Sequence, residues 1–161
     1  MKKETTQQIK GFCKKIGITE DQFHGKELVK GNLWLDELEN IPEGFNPKVE
    51  GDLWLNCLTL IPKGFSPVVG GSMRLNSITI LPEGFNPIVQ GNLFMSSLVI
   101  TNEVFNPKVG GSLFLNDLHF ISEKFNPVIG ENLYLEELTS VPEWFKPAIG
   151  GIIVFKRKVN A

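Results

Sequence analysis

Cysteine is nearly missing from this chain, and the two copies present do not pair by pattern. Cys13 and Cys57 stand in unlike contexts and form no CxxC, so neither a disulfide framework nor a thiolate metal site is expected; both read as reduced thiols. Histidine is equally sparse, at His24 and His119. Asp117 lies near His119, yet no serine or cysteine is placed as a nucleophile, so no catalytic constellation is assembled and a non-enzymatic protein is expected. No apolar run approaches the ~18 residues of a membrane helix. The opening "MKKETTQQIKGFCKK" has no apolar stretch and no cleavage site of a secretory leader. These absences predict a cytoplasmic protein that meets no membrane. Phosphate-loop, zinc and calcium motifs are also missing, so no cofactor is expected.

Nor does one sign of charge prevail. Sixteen Lys and Arg against 18 Asp and Glu leave −2, which gives no overall field toward nucleic acid. The unevenness is local. Residues 1–30 hold seven Lys against four acids, Lys156, Arg157 and Lys158 form a basic tail, and 31–50 and 131–150 are acidic. These read as solvated ends.

What the chain has in abundance is repetition. "GNLWLD" at 31–36 returns as "GDLWLN", "GSMRLN", "GNLFMS", "GSLFLN" and "ENLYLE", each 20 residues after the last. Six full units run 31–50 to 131–150, and a truncated seventh covers 151–161. Place fifteen is Phe in all six, from Phe45 to Phe145; place seventeen is Pro, and place nineteen Val or Ile. Such a period, without one insertion, signals a solenoid whose coils bury their apolar faces only by stacking.

Each place has a mechanical reading. Leu33 and Leu35 alternate with outward neighbours, as in a half-buried strand, and Met73, Met95, Leu133 and Leu135 repeat the pattern. Apolar places eight and eleven, with Thr101 the exception, supply a second buried side. Glycine at places twenty and one is expected to permit positive φ before the strand. Proline with an acid after it, as in "IPEGF", suggests a short helical turn; Glu43, Glu83, Glu103, Glu123 and Glu143 are then turn acids, not a catalytic pair. Asn46, Asn86, Asn106 and Asn126 would form an amide ladder, each side chain bonded to its neighbour's. Strands stacked in register ~4.8 Å apart make a parallel sheet and a rod of roughly 30 Å.

The pattern resembles leucine-rich repeats over residues 31–155, at the short end of that family's unit length. It is similar to bacterial and phage-encoded repeat proteins with units like "GFNPxVGGxLxL…LTSIPE". The resemblance implies an open right-handed solenoid with loops on its convex side, and a phage-type inhibitor of a host protein as one role. It departs at Leu38, where the family has Asn; a flatter parallel β-solenoid satisfies the same spacing. The expected fold is therefore a mainly β, parallel-stranded repeat solenoid. Residues 1–30 form an N-terminal helical cap with helices at 4–16 and 19–29, the second capped by Thr19. Residues 31–150 form the solenoid, and 151–161 add a capping strand and the basic tail.

Place four raises the functional question. Trp34, Trp54, Arg74, Phe94, Phe114 and Tyr134 should project from one sheet face, opposite the leucines. Their borders are polar at places two (Asn32 to Asn132) and six (Asp36 to Glu136). Such a strip either stabilises the sheet, with Arg74 between Trp54 and Phe94 in cation–π contact, or forms an interface. A protein partner is expected; carbohydrate binding and self-association are the alternatives, and one cation beside acids disfavours nucleic acid. Place ten holds a second stripe, Leu60, Ile80, Ile100 and Phe120, which reads as extra core filling or as a homodimer patch.

Overall fold

The structure, a computed structural model, describes residues 6–156. It is a parallel β-solenoid with a helical N-terminus. Every coil contributes two strands, mostly of two residues. The place-four strands (Leu33–Trp34, Leu53–Trp54, Met73–Arg74, Leu93–Phe94, Leu113–Phe114, Leu133–Leu135, Ile153–Phe155) form one seven-stranded parallel sheet. A second seven-stranded sheet holds Leu28–Val29, Lys48–Val49, Val68–Val69, Ile88–Val89, Lys108–Val109, Val128–Ile129 and Ala148–Ile149. Register is a shift of 20 residues at every step, Leu33 beside Leu53 and Val49 beside Val69. The second sheet was not placed by sequence reading, because Pro two residues before place nineteen masks its short alternation of exposed and buried residues.

Between the sheets, places three, five, eight, fifteen and nineteen point inward in every full coil and are almost completely buried, except Ile149 in the last, which is half-buried. The six phenylalanines form a column with neighbouring centroids 5.6–6.1 Å apart and planes within 14°. Thr101, the polar exception at place eleven, is buried, and its hydroxyl accepts from the Ser122 amide at 2.9 Å. A hydroxyl survives there because it has a backbone donor to satisfy.

Four local expectations are corrected. Among glycines at places twenty and one, Gly31 on the first rung takes the expected positive φ (72°), but those of the later coils, such as Gly70 and Gly71, do not; a Cβ there would strike the previous rung, against the Glu50 carbonyl oxygen or the Asp52 carboxylate. Stacking distance, not turn geometry, selects glycine. Positive φ occurs instead at place fourteen in the first three units, at Gly44, Gly64 and Gly84 (φ 79–85°). There the amide of Phe45 donates to the Pro42 carbonyl at 3.2 Å, a β-turn with glycine at its third position and not a helical turn. The later units replace this glycine with Val104, Lys124 and Trp144 without positive φ. Third, the ladder asparagines do not bond side chain to side chain. The side-chain oxygens of Asn46, Asn86 and Asn106 accept from the next rung's backbone amide: Ser66 N to Asn46 at 2.7 Å, Asn106 N to Asn86 at 2.5 Å, and Asn126 N to Asn106. Fourth, the second helix is shorter than 19–29. It spans Glu20–Phe23, and Leu28–Val29 already pairs with Lys48–Val49 in the second sheet.

Helix α1 (Thr6–Ile16) closes the N-terminal end; residues 4 and 5 of the expected helix lie outside the described residues. Ile9, Phe12, Cys13 and Ile16 recur at helical spacing and face the core. Helix α2 (Glu20–Phe23) opens with a capping box: Thr19 Oγ1 accepts from the Gln22 amide, and Gln22 Oε1 accepts from the Thr19 amide. Phe23 enters the phenylalanine column 5.3 Å from Phe45, and Phe12 packs edge-on against both. At the other end Ile153–Phe155 adds a strand as expected, while Arg157 and Lys158 lie outside the described residues.

Burial on the core-facing side of α1 raises the Cys13 thiol pKa, and the charge of Glu20 adds to the effect; Cys57 is exposed. At pH 8 iodoacetamide should modify one thiol quickly, at Cys57, and Cys13 only after denaturation. Peptide mapping checks this, and equal labelling of both in the native chain would contradict the packing of α1.

Candidate interaction surface

Strand alternation delivers the place-four side chains to the outer face of their sheet, one per rung, because the leucines on either side are held in the core. Trp34 is exposed and the other five are half-buried. They form one continuous stack. Trp34 and Trp54 lie 5.7 Å apart, the Arg74 guanidinium carbon sits 5.0 Å from the Trp54 ring centre and 4.5 Å from that of Phe94, and Phe94, Phe114 and Tyr134 follow at 4.5 and 4.4 Å. The last three ring planes agree within 10°. The stack fixes Arg74 between two rings, as its place in the register implied.

Ring faces in such a stack are covered by their neighbours, and what meets solvent is ring edge. Trp34 alone has a free outer face, with 63% of its surface exposed. It lines a concavity with Lys15 and Ile16 of α1 and with Leu35, Asp36, Glu37 and Leu38.

The polar borders are structural parts. At place two, Asn32, Asp52, Ser72, Asn92, Ser112 and Asn132 each accept from the amide of the next rung at 2.7–3.2 Å. At place six, Asp36 Oδ1 accepts from both the Asn56 amide and its Nδ2 at 2.9 Å, and Asn76 Nδ2 donates to Asn56 at 3.0 Å. The restriction of place two to Asn, Asp and Ser, all short acceptors, was the signal for this ladder.

The place-ten stripe is not core filling. Leu60, Ile80, Ile100 and Phe120 expose 66%, 70%, 49% and 66% of their surface. Place eight is buried beside all four, and place eleven is buried at Ile61, Leu81 and Thr101 and half-buried at Ile121, so the chain between them must bulge outward and turn place ten to solvent. Ile100 and Phe120 bridge as parallel neighbours.

No catalytic arrangement emerges around the histidines. His119 Nδ1 donates to the backbone carbonyl of Asp117 at 2.6 Å, not to its carboxylate. Among the described residues no three of His, Cys, Asp and Glu come close enough to hold a metal ion, and no helix is long and apolar enough to cross a membrane. No protein-family model, curated protein or solved structure matches this chain.

Proposed function

We propose that the chain is a non-enzymatic interaction module, and that the place-four strip docks a protein partner in the cytoplasm. The observation supporting this reading is the stack itself: five aromatic rings and one arginine held rigid in register on an open sheet face. Rings and arginine are the side chains that dominate interface energies, and their order here lowers the entropy lost on docking. Sugar binding is disfavoured, because stacking on a pyranose needs a free ring face and only Trp34 offers one. The phage-type inhibitor role follows from the sequence resemblance alone.

The test is a Trp54→Ala, Phe94→Ala double variant. Half-buried rings outside the core leave no cavity when truncated, so the stability loss should be on the order of 0.2–1 kcal/mol per stacked pair. Partner affinity should fall by ~2 kcal/mol or more per anchor. A folded variant that still retains the partner from host lysate would place docking elsewhere; a variant that unfolds would make the strip scaffold.

Self-association through Leu60, Ile80, Ile100 and Phe120 is a second reading, favoured by their exposure. Four such side chains offer on the order of 400 Å², about half of what one partner of a standard interface buries. A weak dimer is therefore the expected outcome in light scattering at two concentrations, abolished by Ile80→Lys. A constant monomer mass would remove this reading.

A further inference from the structure

The stack gives the place-four strip a polarity that its apolar composition conceals. Resting on the reading of that strip as an interface, we infer that it selects a protein segment carrying an acidic side chain, seated over the rungs of Arg74 and Phe94. Aromatic rings are electronegative on their faces and electropositive at their edges. Because Phe94, Phe114 and Tyr134 stack within 10° of parallel at 4.5 and 4.4 Å, they cover each other's faces and turn positive edges outward. Arg74 adds a full charge to that row.

Among the described residues no carboxylate forms an ion pair with Arg74. Its Nε is buried without a hydrogen-bond partner, and so is the indole Nε1 of Trp54 one rung away. Both of these donors are enclosed, so an incoming acceptor would meet the guanidinium at its Nη groups, which are not enclosed and carry no hydrogen bond. The surroundings localise the charge. Beside Arg74 and Phe94, places two and six are Ser72, Asn92, Asn76 and Ser96, all uncharged.

At places two and six the carboxylates lie outside these two rungs, the nearest being Asp52, one rung before Arg74 and bonded to the Ser72 amide at 2.7 Å. Asp36 and Asp52 belong to the first two rungs; Glu131 and Glu136 belong to the sixth, although Glu131 reaches back to accept from Ser112 Oγ at 3.1 Å. A single-stranded nucleic acid running along the strip would bring phosphates against both acidic ends. One carboxylate, flanked by apolar or uncharged residues, meets only the positive centre. A guanidinium fixed between two rings offers its fork to such a group without further loss of side-chain freedom.

The experiment selects binders from a random displayed peptide library on the full chain. Affinities of the enriched peptides are then measured on wild type, Arg74→Lys, Arg74→Met and the Trp54→Ala, Phe94→Ala variant, each checked for native circular dichroism. The expected peptides hold Asp or Glu at a fixed position. They should bind about tenfold or more weakly to Arg74→Met, and about as weakly when that acid is exchanged for its amide, as for loss of a charged hydrogen bond. Arg74→Lys should retain part of the affinity. The acid-to-amide exchange uses only wild-type protein, so the test survives a variant that misfolds. Peptides that need Trp54 and Phe94 but show no acidic position, or bind Arg74→Met unchanged, overturn the acidic preference and leave the interface standing. Peptides indifferent to the double variant, or no enrichment at all, overturn the interface reading and this inference with it. A single-stranded oligonucleotide that outcompetes the peptides in an Arg74-dependent manner overturns the choice of a protein partner.

Discussion

Phe85→Ala should destabilise the chain by ~3–5 kcal/mol, the range for removing a fully buried ring. Phe85 is 2% exposed and lies in the column between Phe65 at 6.1 Å and Phe105 at 5.9 Å. Truncation loses the transfer energy of the ring and leaves a void between two rings that cannot close on it. Their spacing is set by the rungs, and the rungs are held on both sides by parallel sheets, in register at Met73 with Leu93 and at Val89 with Val109. Collapse would require breaking that register, so the cavity cost stays near its upper value. At ~2–4 °C per kcal/mol for a domain of this size, the melting point should drop by roughly 6–20 °C. Urea titration measures the loss directly. A change below about 1 kcal/mol would mean that the column is not the core, and would reverse the inside and outside of every coil.

The contrast with the outer strip sharpens this. Phe85 and Phe94 are both phenylalanine and both stack on ring neighbours, yet one is enclosed by two sheets and the other only by side chains on its own sheet. Sequence alone separates them, because place fifteen tolerates nothing but Phe while place four exchanges Trp, Arg, Phe and Tyr. Invariance within one chain here reports burial.

That logic made much of the architecture readable. A period of 20 without insertions specifies in-register stacking, and alternation around Leu33 and Leu35 specifies the first sheet and the direction of Trp34. Other features were hidden because they are interactions between coils, which a single unit does not display. The amide ladder at Asn46 runs to the backbone of the next rung, and Gly70 is glycine because of a carbonyl 20 residues earlier. The second sheet was missed because each strand there has two residues, too few for a period. Place ten was misassigned because apolar character does not reveal whether a short segment bulges; only the burial of Leu58 and Ile61 around Leu60 decides it. The rings of the candidate surface were legible as a strip. Their edge-out orientation, on which its polarity depends, arises only from the stacking of one rung on the next.

The N-terminal cap should prove indispensable: a chain beginning at residue 27, just before Leu28–Val29, is expected to aggregate. α1 and α2 lay Phe12 and Phe23 over the end of the phenylalanine column, and the Phe23 carbonyl accepts from the Asn46 amide at 2.8 Å. Without them the outer face of Phe45 and the sides of Val29, Leu33 and Leu35 meet water, on a rung whose two strands are open edges. Exposed apolar surface next to unpaired parallel strands is a template for further strands. Removing only residues 1–17 separates the two contributions. α1 has 11 residues, too few to persist alone, so its helicity depends on docking. Ile9, Phe12 and Ile16 are partly buried and Cys13 fully, which makes the loss on the order of 3–5 kcal/mol at ~1.5–3 kcal/mol per fully buried side chain. Against a typical total of ~5–15 kcal/mol, that chain should still fold, with a lower urea midpoint. The longer deletion should elute in the void volume of a sizing column. If it is instead monomeric and melts like the full chain, the first rung needs no cover, and the helices serve something other than stability.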